Sequence, residues 1–232
     1  MSTSMQSPEG LYLPTPIGVD TRSQFVTRTY VHLMGAITAF TLLEVFLFTS
    51  GLAAPIAQAM FGVSWLLVLG GFVLVSWGAS RVAHRVESLP AQYAALGVYV
   101  LAEALIFVPI LFIANQAAPG MIKSAAAITL AGFAGLTAIA MVSRRDFSFL
   151  RGILMWGGVV ALVLIVGGAV FGFELGTFFS VAMIAIAGAS ILYDTSNILH
   201  HFPEDRYVAA SLQLFASVAL MFWYVLRLLS RR

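Results

Sequence analysis

The sequence predicts an all-α integral membrane protein, a single bundle of seven transmembrane helices, and three observations carry that prediction. Hydrophobic residues make up 60% of the 232 residues and charged ones 9%, against roughly 25% charged in an ordinary soluble domain. Seven apolar runs of about 20 residues follow one another, each long enough to cross ~30 Å of hydrocarbon. The breaks between them are short and carry turn or charge chemistry, so a compact bundle is expected and separate domains are not.

Taken in order, residues 1–24 hold Pro8, Pro14 and Pro16 among scattered Ser and Thr. They are too polar and too broken for a signal-peptide core and read as a flexible tail, with residues 25–232 forming the membrane domain. The first run, Thr29 to Ser50, stops at Gly51 and Pro55. The second, Gly62 to Ser80, gives way to the basic stretch Arg81 to Pro90. Pro119-Gly120 closes the third, Gln92 to Ile113, and Arg144-Arg145-Asp146 closes the fourth, Ser124 to Ser143. Gly172 and Glu174 separate the fifth, Gly152 to Gly172, from the sixth, Leu175 to Leu199. The polar stretch His200 to Arg206 then leads into the seventh, Tyr207 to Leu229.

A cytoplasmic amino terminus puts Arg22, Arg28, Arg81, Arg85, Arg144, Arg145, Arg151 and Arg206 inside, eight of the twelve basic residues. The positive-inside bias favours that orientation. Three of the remaining four, Arg227, Arg231 and Arg232, then lie outside unless the seventh segment re-enters instead of crossing. Gly132 and Gly135, Gly157-Gly158, Gly167-Gly168, and Ala185 with Ala189 are read as places where helices approach closely.

Several chemistries are excluded or unsupported. The chain has no cysteine, which removes disulfides, thiolate metal sites and a cysteine nucleophile. His32, His84, His200 and His201 lack the spacing of a helix-borne zinc hydrolase, and neither a nucleophile elbow nor a phosphate loop is present. No enzyme activity, resident cofactor or nucleic-acid partner is expected.

Three acids lie inside the apolar runs. Asp194 is the leading one, because an ionised carboxylate at bilayer depth costs on the order of 3 kcal/mol and usually faces a partner, a water path or an ion. With Asn197 and His201 it forms an i, i+3, i+7 stripe down one helical face. The plain alternative is an acid that reaches interfacial water about 7 Å away. Arg81 and Arg85, on the same side of the membrane, are its expected cations, although ordinary anchoring also accounts for such arginines. Glu103, midway along the third run, must be neutral and hydrogen-bonded, paired, or beside a wet cavity. Glu44 is near enough to a helix end to reach water, which is its expected state.

Arg28-Thr29-Tyr30, Ser143-Arg144-Arg145-Asp146-Phe147-Ser148-Phe149-Leu150 and Tyr193-Asp194-Thr195-Ser196-Asn197-Ile198 together resemble the Bax inhibitor-1, or transmembrane Bax inhibitor motif, family. The similarity runs from about Gln24 onward, through a last helix at Ala209 to Leu229. The resemblance implies six helices around a central seventh in a multi-pass bacterial inner-membrane protein. For some bacterial members it implies a pH-sensitive calcium leak affecting ion homeostasis, in which two hydrogen-bonded aspartates are capped by an arginine. Asp194 matches one aspartate, Arg81 or Arg85 the arginine, and Glu103 an acid carried on the third helix.

The second aspartate is replaced: the chain reads Leu214-Phe215-Ala216-Ser217. Two close carboxyls share a proton and so respond to pH, whereas Ser217 can donate a hydrogen bond to Asp194 but adds no charge. Asp194, Asn197, Gln213 and Ser217 offer calcium few charged oxygens, so any calcium site is weak and transient. Bacterial relatives with serine at this position include a modulator of a membrane-bound AAA protease. That resemblance supports a second expectation, a non-channel protein whose polar tail and membrane surface engage a protease complex.

Overall fold

The computed structural model describes residues 19–231. Eight helices are found among them: α1 (Val19–Thr49), α2 (Ala53–Phe61), α3 (Trp65–Arg85), α4 (Leu89–Ala117), α5 (Met121–Ser143), α6 (Leu150–Phe171), α7 (Thr177–His200) and α8 (Tyr207–Leu229). All but α2 are long and apolar enough to cross a membrane, which makes this a multi-span membrane protein.

The helix ends follow local chemistry. Gly51, Gly120 and Gly172 take φ of 79°, 84° and 73°, the left-handed region that a residue without a Cβ enters without penalty. Arg144 ends α5 in the same region at φ 49°. Three boundaries differ from those expected. The stretch after Gly51, taken as a break, folds into the nine-residue α2, whose Ala53 and Ala57 pack on Val108 of α4. Arg81 and Arg85 lie within the last turns of α3 instead of in a loop. Helix α1 starts at Val19, so it takes in the last part of the stretch 1–24 expected as a tail. The rest of that stretch, residues 1–18, lies outside the described residues.

Helix α8 is the most deeply buried span and α6 the least. Around α8 pack α1, α3, α4, α5 and α7, while α6 lies against α7 and α3. Only a small cluster of Ala161, Met183 and Tyr224 brings α6 close to the central helix. The middle of the bundle is filled by interlocked rings. Phe107 lies 5.2 Å from Phe40, 5.4 Å from Phe222 and 5.1 Å from Trp223, and Phe215 lies 6.1 Å from both Phe40 and Tyr99. The outside is apolar as well, with Leu74 and Trp156 largely exposed, because the outward faces meet lipid tails and not water.

Side-chain bonds at the two ends show that α8 traverses the whole bundle. At one end Arg22 donates to the carbonyls of Ile198 and Phe202 at 3.2 and 2.6 Å and pairs with Glu204 at 3.3 Å. Arg206, just before α8, donates to the carbonyl of Val86 at 2.7 Å. At the other end Ser230 reaches the Met121 sulfur at 3.3 Å, and Arg231 lies 4.0 Å from Glu174. A re-entrant seventh segment is therefore ruled out: Lys123, Arg227 and Arg231 sit at the end opposite Arg22, Arg81, Arg145 and Arg206.

Candidate functional site

Positions 187, 191, 194 and 198 recur at three- and four-residue intervals along α7 and form its buried face. Three are Ala187, Ile191 and Ile198, and Asp194 is the fourth, only 4% exposed. The reading of an acid that reaches interfacial water is thereby excluded. Its two oxygens each meet a neutral donor from α8. The Ser217 hydroxyl donates to Oδ2 and the Gln213 amide to Oδ1, both at 2.6 Å. Residues 213 and 217 are one helical turn apart, so both project toward the same point.

A second polar layer adjoins the carboxylate. The Tyr30 hydroxyl on α1 lies 3.2 Å from the Thr195 hydroxyl on α7. Thr137 of α5 faces the same phenol without meeting it in a good hydrogen bond. Phe133, one turn away on α5, packs beside the Tyr30 ring at 6.4 Å. Helices α1, α5, α7 and α8 thus close over one acid, and Tyr30 and Thr137 are members that the sequence reading did not assign to it. The available signal is weak: Tyr30 belongs to the motif Arg28-Thr29-Tyr30, but a tyrosine near the end of an apolar run usually marks the lipid interface.

The expected cationic cap is absent. Among the described residues no ion pair reaches Asp194, and α3 does not pack against α7. Arg81 and Arg85 are exposed, and the Arg81 guanidinium lies over the Trp77 ring, 5.1 Å from its centre. A long side chain at a membrane surface keeps its charge in water, and the carboxylate is already satisfied by two neutral donors.

Glu103 is buried at 6% exposure on α4, beside Tyr99. Helix α4 does not pack against α7, and Tyr99, one turn from Glu103, packs edge-on against Phe215 of α8. Asp194 and Glu103 therefore lie on helices that do not touch. Glu44 corrects another expectation: it is 7% exposed, and neither carboxyl oxygen has a protein partner among the described residues. Its position turns inward, one helical turn from Phe40 in the aromatic core, so the short distance to the helix end does not bring water.

The stripe of Asp194, Asn197 and His201 also divides. Asn197 is half-buried, and its backbone carbonyl accepts from the amides of His201 and Phe202 at 2.8 and 2.7 Å, closing α7. Beyond that closure His201 turns away, and its Nε2 lies 2.9 Å from Asp146 Oδ2 in the α5–α6 loop. Ser196 holds the same loop, accepting from the Phe147 amide at 2.9 Å and donating to the Arg145 carbonyl at 3.3 Å. His201 and the Ser148 amide together hold the Asp146 carboxyl below its ordinary range.

Among the described residues no three His, Cys, Asp or Glu side chains gather as a metal site. One carboxylate with two neutral oxygen-bearing neighbours can offer a cation only a partial shell.

Seven spans packed with a buried carboxyl, Asp194, that four helices close over and that no cation among the described residues pairs with define a polytopic membrane protein with an internal polar site. The chain belongs to the Bax inhibitor-1 family: residues 22–232 match the family described as "Inhibitor of apoptosis-promoting Bax1". It is similar to Bax inhibitor 1 of Schizosaccharomyces pombe, 30% identical over 176 residues, covering 71% of this chain and 61% of that protein. It is 35% identical over 94 residues to "Modulator of FtsH protease YccA" of Escherichia coli, covering 40% and 42% of the two chains. Uncharacterized protein PA2604 of Pseudomonas aeruginosa is 33% identical over 111 residues, covering 47% and 49%. The chain spans about half the length of the curated relatives it matches.

Proposed function

We propose that this protein is a pH-sensitive calcium leak of a bacterial inner membrane, here in a closed conformation, with Asp194 as the residue that meets the ion. The observation that supports this reading is the burial of Asp194 with two neutral donors and no cation. Desolvating an ionised acid is costly and an apolar residue would pack a helix interface without that cost, so its presence is best explained by a task. Opening requires the rings of Phe40, Phe107, Phe215 and Phe222 to part, since they fill the middle of the bundle. Calcium is the cargo, held weakly because Asp194 supplies the one charged group, with the oxygens of Ser217, Gln213 and Asn197 as supplementary ligands. Glu103 lines the path only in the open state, and Arg81 and Arg85 attract anions or lipid headgroups at its mouth. We place the amino terminus in the cytoplasm, on the arginine excess at that end of the bundle.

The test is purified protein in liposomes loaded with a calcium indicator, read across several pH values. Flux that is present in the wild type and reduced in Asp194→Asn supports the leak. Flux that is absent at every pH, or the same in the variant, overturns it.

A second reading is favoured by the similarity to YccA, whose name describes a modulator of the FtsH protease. It makes this chain a non-channel partner of a membrane-bound AAA protease, engaged through its residues before α1 and its membrane surface. Deleting residues 2–18 leaves α1 whole; if capture of the protease from solubilised membranes is unchanged, those residues are not the handle.

A further inference from the structure

The α5–α6 loop is short, and the last turns of α7 hold it through side-chain bonds. Ser196 takes the Phe147 amide and gives its hydroxyl to the Arg145 carbonyl, at 2.9 and 3.3 Å. Asp146 is clasped from both sides, by the Ser148 amide on Oδ1 at 2.8 Å and by His201 Nε2 on Oδ2 at 2.9 Å. The two contacts differ in kind. The first set is neutral and indifferent to pH, whereas the second joins an acid to an imidazole, the side-chain type that most readily gains or loses a proton near neutrality.

We infer that Asp146 and His201 form a pH-responsive latch that fastens the α5–α6 loop to the end of α7, within two turns of Asp194. When His201 is neutral, the latch is a hydrogen bond from Nε2–H to the carboxylate. When His201 gains a proton, the same contact becomes an ion pair and tightens. Protonation of His201 therefore tightens this one contact, protonation of Asp146 releases it, and the Ser196 bonds persist in both cases. The other ionisable groups around the latch are His200, whose ring centre is 6.0 Å from that of His201, and the arginines at 144, 145 and 151 of the loop and α6. Glu204 and Asp205 of the next loop are engaged with Arg22 and Arg206.

The latch is independent of the calcium reading, and its test needs no flux. The chain has no cysteine, so Phe149→Cys, at an exposed position, accepts a single nitroxide label. Its mobility is read by electron paramagnetic resonance in lipid from about pH 8 to about pH 5.5. The label should slow as pH falls across this interval. Adding His201→Gln, which keeps an amide donor, should abolish the transition, and Asp146→Asn should leave the label mobile and insensitive to pH. Mobility that does not change with pH, or that titrates as before in His201→Gln, overturns the latch. Thermal unfolding of each variant at pH 8 separates loss of the latch from loss of the fold.

Discussion

At Asp194 each oxygen meets a donor, but no counter-ion among the described residues meets the carboxyl group. Each oxygen has one donor at 2.6 Å, so removing a donor leaves a buried acceptor unmet, a change worth about 1–3 kcal/mol. Ser217→Ala should therefore lower the thermal midpoint in detergent, while Ser217→Thr, which keeps the hydroxyl, should lower it less. Equal loss in both would mean that packing at 217 matters and the hydroxyl does not. Ser217→Asp makes the converse test. It puts a second carboxyl within hydrogen-bonding distance of the first, and the two must share a proton to stay buried. The unfolding midpoint of that variant should depend on pH more steeply than that of the wild type. At the residue scale the sequence singled out Asp194 and Ser217 and left Tyr30 and Thr137 unassigned. Which side chains converge across four helices depends on helix rotation, which no linear motif contains.

Among the elements, α7 carries two duties on two faces. Its inward face presents Asp194 to α8, and its last turns organise the α5–α6 loop through Ser196 and His201. The loop contribution has a definite pH sign. Asp146 is held below its ordinary range, so its stabilising effect is present above the unfolded value of about 3.9 and is lost as pH falls through the lower folded value. Acid unfolding of Asp146→Asn should show a shallower loss of stability over that window than the wild type does. Curves that run parallel would remove Asp146 from the account of acid stability. The turn between α6 and α7 depends on Gly172 at φ 73°, where any Cβ is strained. Gly172→Ala should cost about 1 kcal/mol by thermal unfolding. The number and type of the spans were legible because each must cover the hydrocarbon with apolar residues, and only α2, at nine residues, was missed. It lies outside that length rule and is held by packing on α4.

For the whole molecule, seven crossings put the α5–α6 loop and the end of α8 on opposite sides of the membrane. Single cysteines at Phe149 and Arg231 should react with a membrane-impermeant reagent from opposite faces of sealed vesicles. Labelling from the same face would refute the seven-span topology. The aromatic centre makes a further demand. Phe107 is 1% exposed and touches rings from α1 and α8, so Phe107→Ala should destabilise the bundle by about 3–5 kcal/mol. If the leak reading holds, the same change should raise calcium flux in liposomes, because the rings it loosens close the path.

The sequence by itself determined the class, the seven spans, the family and the one acid most in need of explanation. These follow from composition, from the fixed thickness of a bilayer and from local motifs, all of which are read along the chain. Only the tertiary structure decided the company each charge keeps. It gave Asp194 two neutral donors in place of an arginine, buried Glu44 where water was expected, set Glu103 on a helix that does not touch α7 and drew His201 away to Asp146. Those outcomes depend on how seven helices rotate and tilt against one another. Packing sets that rotation, and periodicity within a single helix leaves it open.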